Sequence, residues 1–441
     1  MKTFIGIDLG STTTKAVMLD ERGDVLGRGI TNSRSNYDLA AAISKAEAHT
    51  SARFELLRRE LERAVGLEPS ETLLPRLQTE LRRQQNLAQL AILGEMTAEE
   101  CKNPRVARIA TELSRRVKSM IDEMIREEAN PNPLKVLKPG EKTSEFFRDR
   151  ASSAYAKLAE QRADADVTFD DLMSIFDKAI IRVENTKLEG GFGELIGQAF
   201  ERIRTRLDDK LATGCKTAIE RTNAIELQDG GVIGTGYGRQ RLPFPKEFIR
   251  SEILCHGLGA HHQFPNTRTV LDIGGQDTKA IQVDGAGIVT SFQMNDRCAA
   301  GCGRYLGYIA DEMSLGVHEL GPLALQSERN VKISSTCTVF AGAELRDRLS
   351  NGQRREDILA GLHRAIILRA MSLLARSGGI FDEFTFTGGV ANNPAAVLAL
   401  KKLVRENYGE RVLNISAGSI YTGALGAALF CLRASEGQKA A

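Results

Sequence analysis

The first thirty residues alternate short apolar runs with Gly- and Asp-rich breaks. The segment TFIGIDLGSTTTKAVMLDERGDVLGRGI, residues 3–30, is rich in β-branched residues, and each apolar run is only a few residues long. Runs of this length and composition favour strands, and the breaks favour tight turns. The chain is therefore predicted to begin as a β-meander, with ERGD, residues 21–24, in a hairpin turn.

From residue 36 to residue 222 the apolar positions recur every three or four residues, as they do on one face of a helix. Three such stripes are Val106, Ile109, Leu113, Val117, Met120 and Met124; Phe54, Leu57, Leu61 and Val65; and Ile196, Ala199, Ile203 and Leu207. The first helix should end at the Asn-Pro-Asn-Pro segment 130–133, and the second at Gly66. Thr168 and Asp171 have the spacing of a capping box. We expect this block to be a packing or docking module without chemistry.

The strand-and-turn pattern returns after residue 223. TRTVLDIGGQDTKAIQV, residues 267–283, repeats the strand, turn and strand of the N-terminus, and FTFTGGVANN, residues 384–393, is a strand followed by a Gly-rich turn. GSIYTGALGAALF, residues 418–430, ends in a helix of small residues. The repeat predicts two duplicated α/β halves. The expected division is a first half at 1–35 and 223–268, a helical insertion at 36–222, and a second half at 269–441.

The composition is typical of a globular protein with two or three domains. Of the 441 residues 42% are apolar and 26% charged, and the net charge of +2 predicts neither nucleic acid nor a membrane as a partner. No run approaches the ~18 apolar residues of a transmembrane helix, and Asp8 interrupts the first apolar stretch, so no secretory signal is expected. We expect a cytoplasmic protein whose seven cysteines stay reduced.

Two segments, residues 7–11 and 271–275, place an aspartate at the end of a predicted strand and glycine in the turn that follows. Glycine lets backbone amides approach phosphate oxygens, because no Cβ intervenes. Asp8 and Asp272 are predicted to be catalytic and to hold Mg²⁺ through its waters, since Mg²⁺ dehydrates reluctantly. The predicted ATP-binding residues, the last two beside the adenosine, are Gly10, Ser11, Thr12, Lys15, Gly274, Gly275, Gln276, Gly388 and Gly389.

The segment CAAGCGRY begins at Cys298 and includes Cys302, and Cys337 follows in SSTCTVF. The alternatives are buried thiols, a Cys298–Cys302 disulfide, a zinc site or part of a larger arrangement. The histidines at positions 256, 261 and 262 lack zinc-ligand spacing and are interpreted as ordinary polar residues. The disulfide would have three intervening residues instead of the usual two. A helix is predicted after each cysteine segment, where its amides would stabilise a thiolate. The other four cysteines are interpreted as buried or incidental thiols.

The phosphate-binding pair and the adenosine turn resemble those of the superfamily of acetate and sugar kinases, heat-shock chaperones and actin. TGYGR (235–239), DIGGQDTK (272–279), NDRCAAGCGRYL (295–306) and ISSTCTVFAGAE (333–344) are similar to the ATPase components of the benzoyl-CoA reductase and 2-hydroxyacyl-CoA dehydratase-activator family. The resemblance covers roughly the first 35 and the last 220 residues. It implies an actin-like fold of two duplicated, RNase H-like α/β halves.

The resemblance also implies that Cys298 and Cys337 ligate a [4Fe–4S] cluster. Family members often have Thr at the position of Cys302, which is therefore not assigned as a ligand. Such a cluster takes four thiolates, so a second chain would have to supply the other two.

The implied function is an electron-activating ATPase that takes electrons from reduced ferredoxin and uses MgATP to deliver them to catalytic subunits. Those subunits would reduce benzoyl-CoA to a cyclic diene. The length and the helical insertion resemble the larger ATPase subunit of that reductase, which implies a smaller ATPase subunit as the partner sharing the cluster. The alternatives are an activator of a 2-hydroxyacyl-CoA dehydratase, a sugar kinase of the same fold, and a chaperone-like or filament-forming protein.

Overall fold

The structure is a computed structural model that describes residues 1–33, 36–130, 147–186, 190–236, 244–295, 303–313, 315–329, 331–333 and 338–439. These residues form two compact units. One comprises Met1–Ala52 and Glu226–Ala441, and the other comprises Arg53–Ile225. Each unit has its own hydrophobic core.

The described part of the unit Arg53–Ile225 consists of helices and their connections. The helices are α1 Tyr37–Val65, of which the second half lies here, α2 Leu67–Glu100, α3 Ala110–Ala129, α4 Phe147–Arg162, α5 Phe169–Glu184, α6 Phe192–Arg204 and α7 Asp209–Ala224. Helix α3 ends next to the predicted breaker, and α1 ends immediately before Gly66. The predicted capping box is confirmed, because Thr168 Oγ1 accepts a hydrogen bond from the Asp171 amide and the Asp171 carboxylate accepts one from the Thr168 amide.

Two of the predicted apolar stripes are longer than the helices they belong to. Val106 lies in a separate short turn, Pro104–Val106, because Pro104 begins a new helical turn before α3. Leu207 follows α6, since Asp208 caps the next helix by accepting a hydrogen bond from the Leu211 amide. The prediction that these two residues extend the helices was wrong, although the buried faces of α3 and α6 are confirmed.

The first sheet of the other unit contains β1 Lys2–Leu9, β2 Thr13–Leu19, β3 Val25–Asn32 and β4 Gln228–Thr235, in the order β3-β2-β1-β4. Strands β1, β2 and β3 are antiparallel, which confirms the N-terminal meander. Its hairpin turn is where ERGD predicted it, and Asp20 Oδ1 accepts hydrogen bonds from the amides of Arg22 and Asp24. Strand β4 is parallel to β1.

The second sheet repeats this arrangement. It contains β5 Thr269–Ile273, β6 Thr278–Val283, β7 Val289–Asn295, β8 Phe384–Thr387 and β9 Leu413–Asn414, in the order β7-β6-β5-β8-β9. Strands β5 to β7 form an antiparallel meander, and β8 is parallel to β5. Strands β5, β6 and β8 are buried throughout, as expected of strands covered on both faces. The two sheets thus confirm the duplicated α/β architecture.

Seven helices complete the described part of this unit: α8 Glu252–Gln263, α9 Gly303–Glu312, α10 Val317–Ala324, α11 Thr338–Ser350, α12 Arg355–Ser377, α13 Pro394–Tyr408 and α14 Thr422–Lys439. The small residues of α14 allow close packing. A Cβ on Gly6 of β1 would overlap the backbone of Ala424 and Ala428, and a Cβ on Gly426 would overlap the backbone of Cys255 in α8. Helix α14 therefore lies against both β1 and α8.

The first half of α1 packs on β3 in the same way. A Cβ on Gly29 would overlap the Ser44 carbonyl oxygen, and a Cβ on Gly27 would overlap that of Ala48. This contact explains why the compact helical unit begins at Arg53, in the middle of α1. The predicted bounds of the insertion, residues 36 and 222, stay a prediction.

Helix α12 contains an 18-residue window with a mean hydropathy of 1.6, which suffices for a membrane span by length and composition. The sequence predicted no run of ~18 apolar residues, whereas this window can include up to two charged residues. In the fold 61% of this window is buried, and Ile358, Leu362 and Ile366 lie in the core of the second half. A buried core helix passes the same test, so the window is weak evidence for a membrane span.

The thiols of Cys101, Cys215, Cys255 and Cys431 are free and buried, as predicted. Burial raises the pKa of each thiol, most strongly that of Cys255, to about 12. A thiol with such a pKa is protonated and unreactive at neutral pH.

Candidate nucleotide site

The two predicted strand-end aspartates occupy equivalent places in the two sheets. Asp8 is the second-last residue of β1 and is paired in register with Lys15 of β2, while Asp272 is the second-last residue of β5 and is paired with Lys279 of β6. Both carboxylates are buried, at 5% and 1% exposure. Each forms an ion pair with its lysine, at 3.2 Å in the first sheet and 3.3 Å in the second. The duplication thus produces two buried Asp–Lys pairs, each at the start of a phosphate-type turn.

The parallel neighbour of each aspartate is a threonine followed by a glycine. Asp8 pairs with Thr235 of β4, and Asp272 pairs with Thr387 of β8. The next residues, Gly236 and Gly388, have φ values of 99° and 86°, which favour glycine. A Cβ on Gly236 would lie 2.5 Å from Asp8 Oδ1, and one on Gly388 would lie 3.0 Å from Asp272 Oδ1. Glycine therefore keeps the surroundings of both carboxylates open.

The two predicted phosphate turns face each other. A Cβ on Gly275 would overlap Thr12 Oγ1 and would lie 3.5 Å from Ser11 Oγ. The first turn is braced by Ser33, whose hydroxyl donates to the Gly10 carbonyl oxygen at 2.5 Å. The structure thus brings the predicted residues of the two turns together, and Gln276 lies half-buried in the second turn.

The predicted adenosine turn follows β8. Gly388 donates its amide to the Ser419 carbonyl oxygen at 3.2 Å, and Ser419 Oγ donates to the Gly388 carbonyl oxygen at 3.2 Å. Gly389 begins a short helical turn, and Asn393 caps α13 by accepting hydrogen bonds from two amides. The turn is therefore fixed from both sides beside Asp272.

Asp272 has more partners than Asp8. Thr387 Oγ1 donates to Asp272 Oδ1 at 2.9 Å, and His256 Nδ1 lies 3.2 Å from the same oxygen. Lys279 contacts Asp272 Oδ2 and also pairs with Asp277 at 2.7 Å. Burial alone would raise the pKa of Asp272, but His256 and Lys279 outweigh it and lower the pKa well below its usual value. Asp272 is therefore ionised at every physiological pH.

Two further residues of α8 reach the site. Burial raises the pKa of Glu252, which feels the charges of Lys279, Asp277 and Asp8. Burial alone would lower the pKa of His256, but the carboxylate of Asp272 raises it overall. His256, interpreted from the sequence as an ordinary polar residue, is buried against Asp272. His261 and His262 show no such contact among the described residues.

Helix α9 is bonded to the second phosphate turn through its backbone. Gly303 donates its amide to the Gly274 carbonyl oxygen and Arg304 donates to that of Gly275, both at 2.8 Å. Helices α9 and α11 begin directly after Cys302 and Cys337, which confirms the predicted helices. An ion pair of 2.6 Å between Glu312 and Arg346 joins these two helices.

The three cysteines at positions 298, 302 and 337 lie outside the described residues. Among the residues that the structure describes, no group of three or more His, Cys, Asp or Glu side chains could hold a metal ion. The predicted magnesium contact through water at Asp8 and Asp272 needs no such group, and it stays a prediction.

Sequence reasoning missed Lys279, Thr387 and His256. Lys279 had a usable signal, since DLGSTTTK and DIGGQDTK share the spacing from aspartate to lysine. Thr387 has a weaker signal in the threonine before each turn glycine. His256 has none, because a single histidine on a helix reveals its neighbour only in the folded chain.

A family model described as the BadF/BadG/BcrA/BcrD ATPase family matches residues 5–431. The chain is 43% identical over 201 residues to the (R)-2-hydroxyglutaryl-CoA dehydratase activating ATPase of Acidaminococcus fermentans, covering 46% of this chain and 75% of that protein. It is 30% identical over 244 residues to a benzoyl-CoA reductase component of Thauera aromatica, covering 55% of this chain and 86% of that component. The identity is therefore higher to the dehydratase activating ATPase than to the benzoyl-CoA reductase component.

The crystal structure of (R)-2-hydroxyglutaryl-CoA dehydratase component A from Acidaminococcus fermentans superimposes with a TM-score of 0.54. The match covers 99% of this chain and 100% of that one, at 22% identity. The likeness concerns the fold, and the predicted actin-like α/β ATPase fold is confirmed. Because the family model spans nearly the whole sequence, the chain belongs to the BadF/BadG/BcrA/BcrD ATPase family.

Proposed function

We propose that this chain is the ATP-hydrolysing activator of a 2-hydroxyacyl-CoA dehydratase, to which it delivers low-potential electrons. The observation that carries the proposal is the backbone bonding of Gly303 and Arg304 in α9 to the second phosphate turn. Through these bonds, a change in that turn on nucleotide binding or hydrolysis acts on the helix that follows Cys302.

The nucleotide half of the proposal uses the facing turns. The amides of Gly10 and Gly275 would approach the phosphate oxygens without an intervening Cβ, and Lys15 would add a positive charge. Asp8 and Asp272 are the residues that would accept hydrogen bonds from the waters of a bound magnesium ion. Their buried, anionic oxygens suit that ion, which when bound neutralises charge that develops on the transferred phosphoryl group.

The electron half of the proposal rests on Cys298 and Cys337 as ligands of a [4Fe–4S] cluster that this chain shares with a second chain. When bound, such a cluster supplies one-electron transfer at low potential. Helices α9 and α11, which begin directly after Cys302 and Cys337, are joined by the ion pair between Glu312 and Arg346. A cytoplasmic location and reduced ferredoxin as the donor belong to the same proposal.

The second candidate is the larger ATPase subunit of a benzoyl-CoA reductase, with a smaller ATPase subunit and catalytic reductase subunits as partners. The helical unit Arg53–Ile225 favours this second candidate. The segment that matches the dehydratase activating ATPase is 75% of that protein but only 46% of this chain, so more than half of this chain lies outside the match. The identity of 43% against 30% favours the dehydratase activator, which we therefore place first.

The test is an anaerobic reconstitution of the full chain with each type of catalytic partner. We expect ATP-dependent dehydration of a 2-hydroxyacyl-CoA after mixing with a dehydratase and a ferredoxin-type reductant. Turnover only with benzoyl-CoA reductase subunits would select the second candidate. ATP consumption that depends on an added sugar would instead support a kinase.

Cysteine variants test the cluster separately. Iron and acid-labile sulfide should be lost in Cys298→Ser and Cys337→Ser and retained in Cys302→Ser, the matched control. We expect about four irons for two chains, because each chain supplies two thiolates. A monomer in solution that carries about four irons would contradict sharing, since all four ligands would then come from one chain.

A further inference from the structure

The imidazole of His256 lies buried beside Asp272, in the neighbourhood of Asp8. Its Nδ1 is 3.2 Å from Asp272 Oδ1. Its Nε2 is 2.8 Å from the position that a Cβ on Gly423 would occupy, and Asp8 Cγ is 3.3 Å from the same position. One ring nitrogen therefore touches Asp272, and the other points to the neighbourhood of Asp8.

Gly423, at the second position of α14, makes room for this ring. Any Cβ there would come within 3.0 Å of His256, which side chains do not tolerate without a shift. The other small residues of this helix serve a different purpose, since Ala424, Gly426 and Ala428 allow the helix to approach β1 and α8. Gly423 is thus the small residue in this segment that serves the site.

His256 and Asp272 are close enough for a hydrogen bond but are not aligned for one. The distance is within hydrogen-bonding range, but Nδ1 makes no well-aligned hydrogen bond among the described residues and is buried. A buried polar atom without a bond is costly, so such an atom requires an explanation. A small rotation of the carboxylate or of the ring aligns the bond, and bonds of catalytic groups commonly tighten when the ligand binds.

We propose that His256 is a positioning residue for the nucleotide site, which fixes the Asp272 carboxylate and is itself kept in place by the space at Gly423. This rests on the proposed ATP hydrolysis. Oδ1 of Asp272 is held by Thr387 and faces His256, whereas Oδ2 is held by Lys279. Without the ring, one partner remains on each oxygen and the carboxylate turns more freely. A less well oriented carboxylate lowers the rate of a reaction that depends on positioning.

The test compares two amides that imitate different nitrogens of the ring. The nitrogen of an asparagine side chain falls near the position of Nδ1, whereas that of glutamine falls near Nε2. We expect His256→Asn to hydrolyse ATP within about threefold of the wild-type rate. His256→Gln should lose about tenfold in kcat and need severalfold more Mg²⁺ for half-maximal activity, while its KM for ATP stays within about twofold. His262→Gln, on an exposed position of the same helix, is the matched control.

Gly423→Ala provides an independent test without changing the ring. The added methyl group displaces the imidazole from Asp272, so we expect a similar loss in kcat. Because both changes act through one contact, the double variant His256→Gln/Gly423→Ala should be no worse than the more impaired single variant. Additive losses, or equal kcat values for His256→Asn and His256→Gln, would overturn the proposal.

Two controls separate folding and the proposed function from this inference. ADP binding without Mg²⁺, measured by calorimetry, should be unchanged in every variant, which shows that the site is folded. If the wild-type chain hydrolyses ATP but activates no dehydratase, the proposed function fails while the role of His256 stands. If the wild-type chain binds no MgADP, both fail.

Discussion

The two strand–turn–strand repeats, Asp8–Lys15 and Asp272–Lys279, have the same backbone arrangement but different charge environments. Both lie in the compact unit that contains the two sheets, and they are called the first and the second unit of the repeat below. In the first unit, Lys15 forms its ion pair with Asp8 and its side chain is 11% exposed. In the second, Lys279 lies between Asp272 and Asp277 and its side chain is 3% exposed. The duplicated plan therefore contains one lysine that can turn to a ligand and one that is fixed by two carboxylates.

The difference originates at one position of the repeat. Asp277 of the second unit corresponds to Thr13 of the first, so only the second unit has the extra carboxylate. Burial alone would lower the pKa of Lys279, but Asp272 and Asp277 outweigh it and raise the pKa above its usual value. We infer that the second unit is a rigid platform and that the first supplies the adjustable cation.

The largest expected effect is on stability. Asp272→Asn removes the charge beside the buried ammonium of Lys279, and breaking a buried pair by deleting one partner costs about 3 kcal/mol or more. Asp8→Asn breaks a pair whose lysine side chain is 11% exposed, and it should therefore cost less than Asp272→Asn. Urea unfolding followed by circular dichroism measures both, and both variants should lose most ATP hydrolysis. Equal losses of stability would contradict the asymmetry.

The two lysines should differ in the property that their substitution affects: ADP affinity for Lys15 and stability for Lys279. Lys15→Met is expected to weaken ADP binding about tenfold, the value of one charge-assisted contact to phosphate, and to lower stability less than Lys279→Met does. Lys279→Met should instead lower stability by about 2–3 kcal/mol, because Asp272 and Asp277 would then be left facing each other. Calorimetric titration with ADP and urea unfolding separate the two effects. A loss of affinity confined to Lys279→Met would reverse the assignment.

A fall in pH should destabilise the second α/β half through the protonation of His363. This buried ring donates from Nδ1 to the Leu359 carbonyl oxygen at 2.7 Å and lies 2.9 Å from Asn393, the cap of α13 after the adenosine turn. Burial lowers its pKa to about 4. The unfolded chain, with a pKa near 6.5, binds a proton first as the pH falls, so stability is full above about pH 6.5 and declines toward pH 4.

Between these pH values, the titration of His363 should lower the free energy of unfolding by about 2–3 kcal/mol. His363→Gln keeps an acceptor for Asn393 and removes the titration, so its urea midpoint should fall less between pH 7 and pH 4.5 than that of the wild type. The same fall in both proteins would show that other groups account for the acid sensitivity.

The sequence predicted the elements whose signal is local. Asp8 and Asp272 could be found because a strand-ending aspartate followed by glycine is visible within five residues, and Gly388 because its turn follows a strand. His256 and Thr387 could not be assigned in this way, since their partner Asp272 lies 16 and 115 positions away along the chain. The hydrogen bonds from α9 to the second turn could not be predicted from the sequence either, because they join backbone atoms and do not depend on the type of residue.

The smallest expected difference concerns the two threonines that precede the turn glycines. Thr387 Oγ1 donates to Asp272, whereas the equivalent Thr235 Oγ1 donates to the Arg250 carbonyl oxygen at 2.9 Å and not to Asp8. Thr387→Val should therefore lower kcat for ATP hydrolysis about threefold and stability by about 1 kcal/mol, while Thr235→Val should lower stability by a similar amount and leave kcat unchanged. Steady-state hydrolysis at saturating Mg²⁺ distinguishes the pair. If Thr235→Val were the variant with the lower kcat, the catalytic orientation would depend on the first sheet, and the second unit would no longer be the rigid platform of the site.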